Sequence, residues 1–257
     1  MKLSAVINTY NEADKLQSCL DSLKQWINEI IIVDMESIDS VKEIAQKYKT
    51  KFYSHPHLTW VEPARNFGIS RANGDWILIL DPDEIIPQTL SKKLLEITKL
   101  SGINAVNIPR QNIIFGKWIA HTNWWPDRQV RFFQKGHVVW GNHIHSYPQV
   151  TGTLFDLPAK IEFAIKHNAY QNINEYLTRL NRYTDIEAQN HFEKGEHFSY
   201  LNLAWQPFRE FLTRYLKHQG YLDGRQGLTL SYLQVIYRLT ELIKLWELEN
   251  VANENRH

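Results

Sequence analysis

The densest chemistry in the sequence is Asp81-Pro82-Asp83-Glu84, which directly follows the apolar run Ile77-Leu78-Ile79-Leu80. Three carboxylates after a buried strand lie at the ligand-bearing end of a parallel sheet. Because like charges so close together repel, they favour a divalent cation shared with a phosphate-bearing ligand. The competing reading is a helix-capping turn, since Pro87 and Thr89 mark a helix start nearby. A second polar set, Asn8-Thr9-Tyr10-Asn11-Glu12, ends the first apolar run. Tyr10 offers a ring for stacking on a base, while Thr9 or Asn11 could equally serve as an ordinary N-cap. A third set, Asp34-Met35-Glu36-Ser37-Ile38-Asp39, follows Ile30-Ile31-Ile32-Val33. Asp34 can accept a hydrogen bond from a base or ribose, and Asp39 or Ser40 can cap the next helix. Neither Gly-x-Gly-x-x-Gly nor Gly-x-x-x-x-Gly-Lys-Ser/Thr occurs, which argues against dinucleotide dehydrogenases and phosphate-loop ATPases.

These residues need a scaffold, and the first hundred positions supply an alternation of strands and helices. Strands are expected at 3–8, 29–33, 51–53 and 75–80. Between them, 12–26 carries Leu16, Cys19, Leu20 and Leu23 at helical spacing, and 41–48 carries Val41, Ile44 and Ala45 on one face. Pro63 suits the first turn of a third helix that ends at Asn73-Gly74. Beyond Gly102 come shorter strand candidates (105–109, 129–133, 160–165), and from Ile173 the chain turns helical, with dense apolar spacing over 176–189 and 232–248. The expected division is a nucleotide-type α/β half (1–103), an irregular β-rich half of the same domain (104–172) and a helical C-terminal segment (173–257).

Composition bounds the partners. The 257 residues hold 29 basic and 28 acidic side chains, a net charge of +1, which gives no global reason to expect nucleic acid. One cysteine, Cys19, excludes an intrachain disulfide and a Cys-rich zinc module. No apolar run is long enough to span a bilayer, and the N-terminal run is too short for a signal peptide. A cytoplasmic protein is expected, with peripheral contact at the inner face of the membrane as an option. Aromatic residues make up 12% of the chain, a payload that serves a core, flat apolar ligands or a membrane interface.

Taken in order, Asn8-Thr9-Tyr10-Asn11-Glu12, Ile31-Ile32-Val33-Asp34-x-x-Ser37-x-Asp39 and Gly74-Asp75-Trp76-Ile77-Leu78-x-Leu80-Asp81-x-Asp83-Glu84 resemble glycosyltransferase family 2. Further marks resemble the bacterial branch that includes lipopolysaccharide-core glucosyltransferases. They are Trp124-Trp125-Pro126-Asp127-x-Gln129-x-Arg131-x-Phe133, Lys166-His167-Asn168-Ala169-Tyr170, Asn181-Arg182-Tyr183 and Gly220-Tyr221-Leu222-Asp223-Gly224. The resemblance implies an α/β, Rossmann-like GT-A fold, a mostly parallel sheet flanked by helices, and inverting transfer from a nucleotide-sugar, with a UDP-hexose favoured. It would make 1–103 the nucleotide-sugar-binding half, 104–172 the acceptor-binding half and 173–257 an appended segment. It implies that Thr9, Tyr10, Asn11, Glu12 and Asp34 hold the nucleotide, that Asp81 contacts the ribose, and that Asp83 binds Mg²⁺ or Mn²⁺. Arg65 could add a charge-assisted bond to phosphate or base, or be an exposed helix arginine. His167 could complete the metal site or simply bond backbone at a strand end.

One departure affects the base that must take the acceptor's proton. Relatives in this branch tend to carry His-Glu where this chain reads His143-Ile144-His145-Ser146. His145 and Asp127 become the candidates, although Asp127 could instead pair with Arg128 or Arg131. The aromatic stretch 118–125, with Phe132, Phe133 and Trp140, could line an acceptor groove to which Trp124, Trp125 and Arg131 contribute, or could fill the core. Helix 232–248, with Arg238, Lys244 and Trp246, could lie on a membrane surface or pack on the body. The expected function is metal-dependent transfer of a hexose to a saccharide or glycolipid acceptor of a cell-surface glycan. The alternatives are a non-catalytic nucleotide-sugar or glycan binder descended from such enzymes, and a sugar-phosphate nucleotidyltransferase.

Overall fold

β1 (Leu3–Thr9) is buried along its whole length, and an apolar strand covered on both faces needs parallel neighbours and helices above and below it. The computed structural model, which describes all residues except 59–60, 142–146 and 255–257, supplies both. α1 (Ala13–Leu23) buries Leu16, Cys19, Leu20 and Leu23, the stripe expected from their spacing. β2 (Glu29–Asp34), α2 (Val41–Lys47) and β3 (Lys51–Ser54) complete the next unit. α3 (Glu62–Arg71) begins with proline in its first turn and leads into β4 (Trp76–Leu80). Then follow β5 (Glu84–Ile85), α4 (Gln88–Ile97), β6 (Ala105–Ile114), β7 (Lys117–Trp118), β8 (Arg128–Gln134), β9 (Val138–Val139), β10 (Gln149–Val150), β11 (Leu154–Asp156) and β12 (Ile165–Tyr170).

The strand order is β3-β2-β1-β4-β8-β6-β12-β5, parallel from β3 to β4 and antiparallel at β4–β8 and β6–β8. β11 lies parallel to β6, and β9 pairs with β10 in a separate ribbon. Two apolar clusters flank the sheet. One gathers α1, α4 and the sheet face with Ala5, Ile7, Leu78 and Phe132; the other gathers α3 and the face with Val6, Ile31, Ile79 and Phe133. Phe132, Phe133 and Trp140 are therefore core residues, the second of the two readings open for them, rather than the lining of a groove. They alternate into both faces of the sheet or close over it, where aromatic area is worth most.

The chain forms two compact units, 1–111 with 126–167, and 112–125 with 168–257. In the second, α5 (Ile173–Glu193) starts at Asn172, whose side chain accepts from the Glu175 amide while Glu175 accepts from the Gln171 amide. That reciprocal pair caps the helix. α6 (Tyr200–Leu212) and α7 (Gly224–Glu254) follow, joined by a π-turn at Thr213–Lys217 and a 3-10 turn at Gly220–Asp223. α7 buries Leu230, Leu233, Leu242 and Leu245, while Arg238 bonds Glu241 and Lys244 bonds Asn181 and Thr184 of α5. Two of its cations thus serve internal packing. Asp223, 3% exposed, accepts from the Ala120 and His121 amides and the Thr122 hydroxyl, tying the β7 turn to the base of α7. The motif Gly220–Gly224 is therefore a structural knot, and Gly227 has no room for a side chain against the Gly220 carbonyl.

The expected strand at 160–165 is corrected. Ile161–Phe163 is a 3-10 turn whose Glu162 carbonyl accepts from the Thr89 hydroxyl, and the strand starts at Ile165. Its burial alternates from Ile165 to Tyr170, with His167 on the inward side. Among the described residues no helix is long and apolar enough to cross a membrane.

Candidate active site

The carboxyl ends of β1 and β2 meet in register, Thr9 beside Asp34, so the first two polar sets share one rim. The loops after these strands are tied together. The Asn11 amide donates to the Ser37 hydroxyl, the Asn11 side-chain oxygen accepts from the Ile38 amide, and Asp39 accepts from the Ala13 amide. Asn11 does this from a left-handed backbone, φ 52°, which asparagine tolerates better than most residues. Part of the Asn11 side chain is thereby committed to holding the loop. Glu12 pairs with Lys15 at 3.4 Å. Tyr10 stacks on His57, centroids 3.9 Å apart, so one face of its ring is already covered by a residue that no sequence motif singled out.

Asp34 is 7% exposed; its Oδ2 accepts from the Ser37 amide, while Oδ1 is buried with no hydrogen-bond partner among the described residues. The same holds for the side chains of Asn8 and Thr9. A buried acceptor or donor left unmatched costs about 1–3 kcal/mol, so these three side chains at one rim are candidates to meet a ligand. Asn8, which the sequence offers only as part of the motif, joins these candidates through its burial beside Thr9.

The Asp81–Glu84 turn is less acidic than its sequence. Arg65 reaches Asp81 at 2.9 Å, and Arg131 bonds both Asp81 and Glu84, the latter at 2.9 Å. Glu84, fully buried, also receives Arg110 at 3.3 Å, and Arg110 in turn holds Asp127 at 2.7 Å. The result is an alternating chain, Arg65–Asp81–Arg131–Glu84–Arg110–Asp127. Burial pushes the Asp81 carboxyl up, but the Arg131 and Arg65 guanidiniums outweigh it and hold it well below the usual carboxylate range. Burial likewise pulls Arg131 down, and Asp81 and Glu84 outweigh it. Arg65 Nε and Arg131 Nε remain buried without hydrogen-bond partners among the described residues, so each guanidinium keeps a donor in reserve. Arg65 is thus no exposed helix arginine, and Arg131 lies against Asp81 at 3% exposure. Asp127 pairs with Arg110, whereas Arg128 donates to the Leu157 carbonyl.

With Asp81 and Glu84 each paired to arginine, Asp83 and His167 are the groups beside this turn that could hold a cation. Asp83 is 5% and His167 8% exposed, and His167 Nε2 lies 3.6 Å from Asp83 Oδ1 across the β5–β12 pairing. Among the described residues no three His, Cys, Asp or Glu side chains converge as a closed metal cage. A carboxylate and an imidazole suit Mn²⁺ as a partial set, and a diphosphate can complete such a shell. His145 lies outside the described residues. Trp124 and Trp125 belong to the second unit, where Trp124 packs edge-on to Tyr170 at 6.2 Å and Trp125 to Trp118 at 5.5 Å.

Comparison with known proteins places the chain among glycosyltransferases. The chain is 25% identical to an uncharacterized glycosyltransferase of Rickettsia felis over 96% of its length and 90% of the relative's. It is 22% identical to the lipopolysaccharide core biosynthesis glycosyltransferase LpsC of Rhizobium meliloti, over 96% and 93%. Among solved structures, the mannosyltransferase PcManGT of Pyrobaculum calidifontis, in complex with GDP-Man and Mn²⁺, superposes with a TM-score of 0.57 at 13% identity, covering 95% of this chain and 87% of that one. The mixed α/β sheet is that of the GT-A glycosyltransferases. A sequence model of glycosyl transferase family 2 matches residues 4–156, the span that carries every motif of the rim, and the chain belongs to that family of glycosyltransferases.

Proposed function

We propose that the chain transfers a hexose, with inversion, from a nucleoside-diphosphate sugar, favouring UDP, to a saccharide or glycolipid acceptor of a cell-surface glycan. The observation that carries this reading is the unmatched buried rim of Asn8, Thr9 and Asp34 beside the Arg65–Asp81–Arg131 pairing. Asp34 Oδ1 can accept an N–H from the base, and Asp81 the ribose hydroxyls. Arg65 and Arg131 can direct their spare donors to diphosphate oxygens, where planar guanidiniums bind well. Asp83 and His167 would hold Mg²⁺ or Mn²⁺, which supplies positive charge to stabilise the departing diphosphate. In a single displacement the acceptor oxygen bonds to the anomeric carbon as the bond to the diphosphate oxygen breaks, and a base removes the hydroxyl proton. Asp127 and His145 are the proposed bases. The name of the Rhizobium meliloti relative supports a lipopolysaccharide-type acceptor.

The test is a thermal-shift screen of UDP, GDP and their hexose conjugates, with Mn²⁺ or with chelator, followed by donor hydrolysis without acceptor. A ligand at a hundredfold its Kd adds about 2.7 kcal/mol to stability, so the donor should raise Tm, more with Mn²⁺ than without. Absence of a shift with every nucleotide would refute the donor reading. A shift without any turnover would leave a binder rather than a transferase.

A further inference from the structure

α6 packs on α7, yet Pro207 is its one fully buried residue among those described. Phe211 packs against Tyr215 and Tyr232, whereas the large apolar side chains of Tyr200, Leu201, Trp205 and Phe208 are exposed. Leu201, Trp205 and Phe208, at i, i+4 and i+7, lie on one stripe and are 82%, 56% and 55% exposed. Further along the chain Leu216 is 55% exposed, and Tyr221 and Leu222 of the 3-10 turn are 48% and 55% exposed. Scattered exposed apolar residues need no explanation, but a contiguous stripe of large ones marks an interaction surface.

The charges beside the stripe select its partner. From residue 200 to 232 the acids are Glu210 and Asp223. Glu210 is held by Arg214 at 2.6 Å, and Asp223 is buried in its knot of amides. The exposed charges of this segment are therefore all positive: Arg209, Lys217 and Arg225. A second copy of the chain docking by a two-fold axis would set this cationic patch against itself. A bilayer with anionic headgroups meets both features, since aromatic and aliphatic side chains enter the headgroup–acyl boundary while cations stay at the phosphates. We propose that the outer face of α6, with the Leu216–Leu222 segment, docks this protein onto an anionic lipid bilayer. Docking through this surface does not depend on the transfer reaction. It lies outside 232–248, the helix that could have lain on a membrane or packed on the body, where Arg238 and Lys244 are engaged inside the helical unit.

Cosedimentation of the full chain with vesicles tests it. One set is phosphatidylcholine alone, the other equal parts phosphatidylcholine and phosphatidylglycerol. The wild type should bind the anionic set and be released as salt rises, because the headgroup attraction is screened. Arg209→Glu with Lys217→Glu should weaken binding by about tenfold or more. Trp205→Ser with Phe208→Ser should abolish it while circular dichroism and Tm stay unchanged, since both side chains are exposed. Equal binding to both vesicle types, or to neither, overturns the proposal and needs no variant. So does a dimer in sedimentation equilibrium that Trp205→Ser dissociates, which would assign the stripe to a second copy.

Discussion

At the scale of single residues the decisive quantity is whether a buried polar atom has a partner. Asp34 Oδ1 lacks one among the described residues, so a base N–H arriving there should gain most of a charge-assisted hydrogen bond, about 1.5–3 kcal/mol. Asp34→Ala should accordingly weaken nucleoside diphosphate binding by about tenfold to a hundredfold, whichever sugar is attached; calorimetry that returned wild-type affinity would remove Asp34 from the donor site. Glu84 presents the opposite case, a fully buried carboxylate between two guanidiniums. Glu84→Gln leaves Arg131 and Arg110 short of one negative charge, and breaking a buried pair in this way costs about 3–5 kcal/mol. Urea denaturation should show a loss of that order, whereas a change below about 1 kcal/mol would mean that the alternating chain is not held as described. Asp83→Asn should leave stability near wild type but remove the Mn²⁺-dependent part of the donor's thermal shift. The carboxylates were legible in the sequence because they follow an apolar strand. Their neutralisation by Arg65, Arg110 and Arg131 was not, because those partners come from α3, β6 and β8, and no local pattern records which arginine a distant acid will meet.

Elements position these residues, and one glycine shows how tightly. Gly68 sits in α3 against the sheet, where an added Cβ would overlap Val6 Cγ1 and lie 2.9 Å from Val33 Cγ2. The close approach of α3 to β1 and β2 lets Arg65, one turn earlier, reach Asp81, and lets Asn66 bond the Trp140 backbone through both its amide nitrogen and its oxygen. Gly68→Ala should push α3 outward, cost about 1–3 kcal/mol by overpacking, and weaken donor binding even though no ligand group is altered. Unchanged stability and affinity in the same protein would show that α3 has slack. The helices and strands around this site were readable as far as residue 80 because apolar runs and helical spacing alternate there, although the N-cap residues Glu12, Ser40 and Val61 make no side-chain cap. Later elements were hidden for identifiable reasons. α6 carries Pro207 in its interior, and a proline there argues against a helix unless its missing donor is tolerated. β12 carries Lys166, His167 and Asn168 at its centre, so its alternation was masked by polar residues that a site requires.

For the whole molecule, near-neutral net charge hides an acid-sensitive arrangement at the amino-terminal edge of the sheet. Glu29 is 9% exposed and receives Lys51, the Ser4 hydroxyl and both the amide and side chain of Asn73, so one carboxylate links β1, β2, β3 and the turn before β4. Burial pushes its carboxyl up, but the bonds from Lys51, Ser4 and Asn73 outweigh that and bring it down from 4.5 to about 2. A carboxyl lowered by folding stabilises the native state fully above its unfolded value, and the contribution drains away as pH falls from 4.5 through about 2. Glu241 in the helical unit works in the other sense, because burial raises its carboxyl despite Arg238 and His191. The raw acid limb of the protein therefore mixes opposing contributions, and the difference between wild type and a Glu29 variant isolates one of them. Glu29→Gln keeps the shape and can still accept from Ser4, but it gives up the charge that holds Lys51. Its deficit should be about 1–3 kcal/mol at neutral pH, or about 2–4 °C in Tm for each kcal/mol, and should shrink steadily as pH drops below 4.5. Melting curves of both proteins across that interval provide the measurement. A deficit that stays constant with pH would assign Glu29 a packing role alone, and the acid response of the sheet would have to originate elsewhere, with Asp81 the next carboxylate to test.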